Sequence, residues 1–248
     1  MRPAITSAAL RILHRDAHLL VLDKPVGIAT TAPDDGPSLF ALARELDPEA
    51  PALHPLSRLD TQVSGLVTFA RTAYANQFAL EARRTGKLRR AYLGLSAHAP
   101  RVEQGDWQFS IAIDPRDPKH RLALRAGSST GMGVKAAHTR YRLHASAGAL
   151  HALDLWPVTG RTHQLRVHAQ AGGCPFAGDV AYGGDKRMTL ANGRILTAAR
   201  AMLHCAAFRM PSLRAGEPDL VLSCEAHDDM RALWQAAGGD PSALMLQL

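Results

Sequence analysis

Asp60 stands in the setting best suited to chemistry anywhere in the chain. The run Ser57-Arg58-Leu59-Asp60-Thr61-Gln62-Val63-Ser64-Gly65 sets one carboxylate among a cation, small polar residues and a glycine, ahead of the apolar stretch Leu66 to Ala70. A carboxylate beside an arginine at the mouth of a strand, with Gly65 letting backbone or ligand come close, can serve as a held nucleophile or base. Surface turns carry the same Arg-x-Asp pattern, so the segment needs company before it means catalysis.

Company comes about a hundred residues on, in Val158-Thr159-Gly160-Arg161-Thr162-His163-Gln164-Leu165-Arg166-Val167-His168, followed by the turn-rich Gly172-Gly173-Cys174-Pro175-Phe176-Ala177-Gly178-Asp179 and Tyr182-Gly183. Thr159 or Thr162 can cap a short helix, from about Arg161 to Ala171, that ends at the glycine pair. Arg161, His163, Arg166 and His168 then crowd its first turns, where backbone N–H groups without helical partners favour anions. The segment is a seat for phosphate or carboxylate, or else a solvated basic face.

Taken together, Asp23-Lys24-Pro25-Val26-Gly27, Arg58-Leu59-Asp60 with Ser64-Gly65, and the run Thr159 to His168 stand in the order seen in the RluA branch of pseudouridine synthases, and Gly178-Asp179 with Tyr182-Gly183 fits the same pattern. The chain resembles that family from about Ile12 to about Phe208. Its members convert uridine to pseudouridine within RNA. The resemblance implies that Asp60 is the nucleophile and that Arg58 enters the RNA stack where the target base leaves. It also implies that Tyr92, in Arg90-Ala91-Tyr92-Leu93, stacks on the flipped base and can take a proton. Arg166 matches the arginine paired with the aspartate, and Leu165 the apolar lining of the uracil pocket. Arg161, His163 and His168 are left to RNA phosphates or to the helix itself. Three departures stand out: Ser57 replaces the family's histidine, Val63 replaces a threonine, and Thr30-Thr31-Ala32-Pro33 replaces the apolar and histidine residues that usually follow Lys-Pro-x-Gly.

The implied reaction moves uracil from an N1 to a C5 link with ribose, without change of composition or redox state. It needs no nicotinamide, flavin or ATP, and Gly172-Gly173 and Gly183-Gly184 lack the spacing of a nucleotide-binding loop. A carboxylate can act by adding to C6 of the ring or by assisting cleavage at C1′ so that the base rotates. Either way it must be ionised, and an arginine partner opposes the tendency of a sheltered carboxyl to keep its proton. Arg161 and Arg166 lie five residues apart, about 140° around the helix, so they should not both face Asp60; the resemblance selects Arg166. The base must leave the RNA helix first, which costs a few kcal/mol unless the loop is already open, and the planar cation of Arg58 suits the vacated space.

Bulk properties agree with an RNA partner. There are 29 Lys and Arg against 22 Asp and Glu, a formal charge of +7 over 248 residues, with 46% hydrophobic content able to bury a substantial core. Arg83, Arg84, Lys87, Arg89 and Arg90 precede Tyr92, and Arg116, Lys119, His120, Arg121 and Arg125 form a second cluster; each is a phosphate track or a solubilising surface. Cys174, Cys205 and Cys224 are odd in number and far apart, which argues for reduced thiols. His14 and His18 sit in an expected hairpin without the glutamate of a zinc-protease helix, so no metal is expected. No leader and no apolar run of the roughly 20 residues a membrane helix needs is apparent, and a cytoplasmic enzyme is expected.

The coarse pattern predicts a hairpin of Arg11 to His14 and Leu19 to Leu22, helices over Ser38 to Leu46, Thr72 to Arg84 and His227 to Ala237, and strands over Leu66 to Ala70 and Arg90 to Ala97. Further strands are expected at Asp106 to Ile113, Arg121 to Arg125, Thr139 to Ala145, His151 to Trp156, Ala201 to Met210 and Leu220 to Glu225. Strands outnumber helices without alternating with them, which points to α+β rather than a doubly wound sheet. The resemblance implies a long mixed, mostly antiparallel sheet with flanking helices and a central active-site cleft. A single catalytic domain over 1–248 is expected, with 1–8 a loose tail and no room for the family's optional N-terminal RNA-binding module. An RNA-binding chaperone without catalysis is the main alternative, and a glycosidic hydrolase the other; the latter normally needs a second carboxylate. Sequence alone names neither the ribosomal or transfer RNA stem-loop, nor the uridine, nor the oligomeric state.

Overall fold

The computed structural model describes residues 5–32 and 36–246. In chain order its strands are β1 (Arg11–Arg15), β2 (Leu19–Lys24), β3 (His54–Pro55), β4 (Ser64–Ala70), β5 (Arg89–Ser96), β6 (Gln104–Trp107), β7 (Ser110–Ile113), β8 (Arg121–Leu124), β9 (Lys135–Ala136), β10 (Thr139–Ala147), β11 (Leu150–Pro157), β12 (Arg187–Thr189), β13 (Ile195–Thr197), β14 (Leu203–Met210) and β15 (Leu220–Ser223). The helices are α1 (Leu39–Leu46), α2 (Ala73–Arg84), α3 (Gln164–Ala171) and α4 (Asp228–Ala236). Ten strands belong to one large sheet, β12 and β13 form a pair, and β8-β7-β9 a trio. The fold is α+β, as the strand-rich, non-alternating pattern predicts. Contacts divide the chain into two compact units, Met1–Arg90 with Cys205–Glu225, and Ala91–His204 with Ala226–Leu246.

In the first unit β1, β2, β4 and β14 are successive neighbours, with β3 on β4 and β15 on β14. The β1–β2 hairpin turns where Asp16 accepts hydrogen bonds from the N–H groups of His18 and Leu19, both at 2.7 Å. Its second strand, Leu19-Leu20-Val21-Leu22, is buried between β1 and β4, which is why it reads as an unbroken apolar run. Both helices start on side-chain caps: Ser38 accepts from the N–H of Ala41 and Thr72 from that of Ala75. Asp47, buried at the end of α1, is paired with Arg15 and Arg71. Of the expected loose tail, residues 1–4 lie outside the described residues, and Ser7–Ala9 form a 3-10 turn against α1. Pro33 also lies outside them.

In the second unit β5-β11-β10-β6 run antiparallel in that order. The residues paired across them, Tyr92 with Leu155, Leu155 with Tyr141 and Tyr141 with Gly105, share one face. Trp107, two residues beyond Gly105, stacks on Tyr141 with ring centroids 4.2 Å apart and lies so close to Gly172 that a Cβ there would meet it at 2.7 Å, so the end of α3 covers this face. α4 buries Met230, Leu233 and Trp234, the core stripe that helical spacing predicts.

One expected element is redrawn, and one pair of strands is added. The strand read over Asp106 to Ile113 is two strands in different sheets, β6 and β7, because the chain breaks pairing at Gln108-Phe109. The β12–β13 pair was not read from sequence; it turns through Asn192-Gly193 with Gly193 at φ 81°, and its strands are only three residues long. Among the described residues no helix is long and apolar enough to cross a membrane.

Candidate active site

Asp60 lies on the loop that leads into β4, half-buried, with Leu59 buried on one side of it and Arg58 exposed beyond. The loop is held through its backbone. The Gly27 N–H donates to the Thr61 carbonyl at 2.8 Å, and the Val63 N–H to the Asp60 carbonyl at 3.0 Å. The Thr30 hydroxyl accepts from the Leu59 N–H at 2.9 Å and donates to the Leu59 carbonyl at 3.0 Å. Gly27 adopts φ 92°, a conformation side chains avoid, to make its turn. Lys24, fully buried, donates its ammonium to the carbonyls of Pro25 and Ile28, both at 2.8 Å, and so holds that turn from inside. The Asp23-Lys24-Pro25-Val26-Gly27 motif is thereby a brace for the aspartate loop.

Gly65 explains itself at the strand that follows. It sits at φ 107°, and a Cβ there would lie 2.3 Å from the Cys205 carbonyl oxygen. Of the two uses its lack of a side chain suggested, the close neighbour is backbone. Arg58, by contrast, makes no ion pair with any described residue, so the salt bridge that would give it a merely structural role is not seen.

In the second unit the buried guanidinium of Arg166, on α3, grips Asp179 with Nε and Nη2, both at 2.7 Å. This fork-on-fork geometry fixes the plane of the cation. Tyr182 lays its ring against the same guanidinium, 4.6 Å from centroid to Cζ, and its hydroxyl meets His163 Nδ1 at 2.6 Å and the Arg121 N–H at 3.1 Å. Tyr92 is buried on β5, on the face covered by α3. Two residues along the same face, Gly94 leaves room for the Phe176 ring, which a Cβ would meet at 2.4 Å, and Ser96 Oγ donates to the Pro175 carbonyl at 2.8 Å. The 174–179 turn that brings Asp179 to Arg166 is thus anchored on the strand that carries Tyr92.

The helix itself begins later than its threonines suggest. Its first residue is Gln164, and His163 precedes it at φ 56°, the one positive φ among the described non-glycine residues. Neither Thr159 nor Thr162 caps it. Instead the Gln164 side-chain oxygen Oε1 accepts from the Arg161 N–H at 3.0 Å and the Thr159 hydroxyl at 2.7 Å, while its side-chain Nε2 donates to the His138 carbonyl and Thr139 Oγ1. Arg161 therefore lies before the helix, exposed, with Nε donating to the Ala136 carbonyl, and the angular argument against Arg161 does not apply.

Of the remaining expected contacts, Leu165 is buried and His163 half-buried. His168 is fully buried, bonded to Thr139 Oγ1 and the Phe109 carbonyl, and burial pushes its pKa down to about 4. A neutral, enclosed imidazole cannot neutralise phosphate, so of the two roles left to it by sequence, service to the helix remains. All three cysteines are buried thiols, and burial pushes Cys174 up to about 12. Three supporting residues escaped the sequence reading: Asp179 and Tyr182, which stood there only as pattern matches, and Thr30, which stood only as a departure. A Gly-Asp turn beside a buried arginine gives no local cue to the pairing, since thirteen residues separate Asp179 from Arg166.

The family described as RNA pseudouridylate synthase matches residues 18–171. Among curated relatives, the "Uncharacterized RNA pseudouridine synthase YhcT" of Bacillus subtilis (strain 168) is 32% identical over 72% of this chain and 59% of its own length. "Ribosomal large subunit pseudouridine synthase C" of Escherichia coli (strain K12) is 32% identical over 83% and 63% respectively. The chain thus spans about three fifths of the length of these two relatives. In structure it is similar to "Human RNA Pseudouridylate Synthase Domain Containing 4", with a TM-score of 0.73 at 22% identity over 94% of this chain and 95% of that one, which shows a shared fold.

Proposed function

The chain belongs to the RNA pseudouridylate synthase family, and on that premise we propose that it isomerises specific uridines in structured ribosomal or transfer RNA to pseudouridine. The observation that carries the reading is the Asp60 loop: a half-buried carboxylate braced through the backbone on both sides, two residues after an exposed arginine. In this reading the target uridine leaves its stack and Arg58 occupies the gap, its plane stacking on neighbouring bases. Asp60 attacks as a carboxylate, at C6 of the ring or at C1′ of the sugar. The N1–C1′ bond breaks, the base turns, and a C5–C1′ bond forms. The proton displaced from C5 leaves to a base, a role suited to the Tyr92 oxygen or to Asp60 once it is released.

Arg166 is the cation that keeps Asp60 ionised, with Nε and Nη2 bonded to Asp179. Asp179 and the Tyr182 ring serve it by fixing the guanidinium plane. Leu165 is the apolar wall for uracil, and Arg161 and His163 take RNA phosphates. The residues 1–248 work as a single catalytic domain in the cytoplasm, without metal or nucleotide cofactor. The test is a map of pseudouridines in total RNA from cells with and without the gene, read by a chemical label specific for pseudouridine, because the isomerisation leaves mass unchanged. The reading expects discrete sites that vanish with the gene and return with the wild type but not with Asp60→Asn. Identical maps would refute it, and release of free uracil would mark a hydrolase instead.

A further inference from the structure

Thr30 is 2% exposed, and its hydroxyl has one occupation, the peptide groups of Leu59: it accepts the N–H at 2.9 Å and donates to the carbonyl at 3.0 Å. A single side chain thus does what a neighbouring strand does, satisfying both backbone groups of one residue. The Leu59 carbonyl belongs to the peptide that joins Leu59 to Asp60. Since that peptide is planar, fixing the carbonyl fixes one of the two planes that meet at the Asp60 Cα and leaves the Cα–Cβ bond little freedom of direction. The other plane carries the Asp60 carbonyl, which accepts from the Val63 N–H at 3.0 Å.

The clamp is itself anchored. The N–H groups of Leu39 and Phe40, in the first turn of α1, donate to the carbonyls of Ala29 and Thr30 at 2.9 and 3.0 Å, so the segment bearing the hydroxyl is tied to a helix capped by Ser38. Thr30 stands where the sequence departs from the family's usual apolar and histidine residues, and an apolar side chain there could make neither bond.

We propose that Thr30 is a positioning residue for Asp60, whose hydroxyl sets the direction from which the carboxylate meets the uridine. The inference rests on the proposed function. Displacing a reacting group by about 1 Å costs on the order of a hundredfold in rate, so loss of the clamp should appear in the chemical step rather than in RNA binding.

The test compares Thr30→Val, Thr30→Cys and Thr30→Ser with the wild type, using total RNA labelled with [5-3H]uridine in cells that lack the gene. Tritium leaves C5 for water when the new carbon–carbon bond forms, so its release times the chemistry. With saturating enzyme, Thr30→Val should slow single-turnover release about 30- to 100-fold while the enzyme concentration giving half the maximal rate stays within about twofold. Thr30→Ser should remain within about threefold of the wild type, with Thr30→Cys between. Should the valine variant unfold, the Ser and Cys pair still carries the comparison. Equal rates in all variants, a serine variant as slow as valine, or a loss confined to RNA affinity would each overturn the inference. Release by the wild type checks the proposed function separately: its absence sinks both, whereas wild-type release with an undiminished Thr30→Val sinks this inference alone.

Discussion

The Asp60 loop and the Arg166 helix are built from opposite materials. Asp60 is braced by peptide groups and one hydroxyl, from Gly27 and Thr30, around a glycine that accepts another strand's backbone at Gly65. Arg166 is braced by charge, through a buried bidentate pair with Asp179, and by the face of Tyr182. A nucleophile gains from neutral supports, because they fix direction without adding a rival carboxylate. A buried guanidinium has no such option, since its charge needs a counter-ion wherever water is excluded. Similar precision is thus reached by sterics on one side and electrostatics on the other, and the two should fail differently.

The largest effect should follow breaking the charged support. Asp179→Asn leaves the buried guanidinium short of a counter-charge, and loss of one partner from such a pair typically costs about 3–5 kcal/mol. Urea unfolding should show that loss together with a fall in isomerisation, and an unchanged midpoint would mean that the pair contributes little. Next comes the steric support. Gly65→Ala puts a side chain at φ 107° and 2.3 Å from the Cys205 carbonyl, for about 2–4 kcal/mol of combined strain and overpacking, a cost that should not vary with pH.

The smallest effect sharpens the contrast by pH. In the second unit His144 meets Asp154 at 3.0 Å and the Ala243 carbonyl at 2.5 Å, and the Asp154 hydrogen bond raises its pKa against the opposing effect of burial. A histidine whose folded pKa is raised contributes stability that is complete below its unfolded pKa, near 6.5, and is lost as pH rises through the folded value. The stability gap between wild type and His144→Gln should therefore narrow from pH 6 to pH 9 in thermal scans, while the gap for Gly65→Ala stays level. A gap that widened with pH would reverse the assignment.

What could be read from sequence was local. Ser38 and Thr72 announce their helices because a cap and its N–H groups lie three residues apart, and Met230, Leu233 and Trp234 announce a buried stripe because a helix repeats within it. The Asp60 loop was legible for the same reason, with carboxylate, arginine and glycine inside nine residues. The start of α3 was not, because the helix begins without a side-chain cap, and His163 ahead of it adopts a backbone conformation that composition does not advertise. Asp179, Tyr182 and Thr30 were missed as supports because each acts across a gap in sequence, Thr30 across 29 residues. Such contacts are fixed by the packing of whole elements, which spacing along the chain does not record.

The central claim is that the Asp60 carboxylate performs the isomerisation while the rest of the molecule holds RNA and carboxylate in place. Asp60→Asn keeps the shape of the side chain and removes the charge. Measured side by side on [5-3H]uridine-labelled RNA, the variant should lose tritium release by at least about a thousandfold, on the scale seen when a covalent catalyst's nucleophile is removed, while its RNA affinity stays within a few-fold of the wild type. Release that continued at near the wild-type rate would contradict the account.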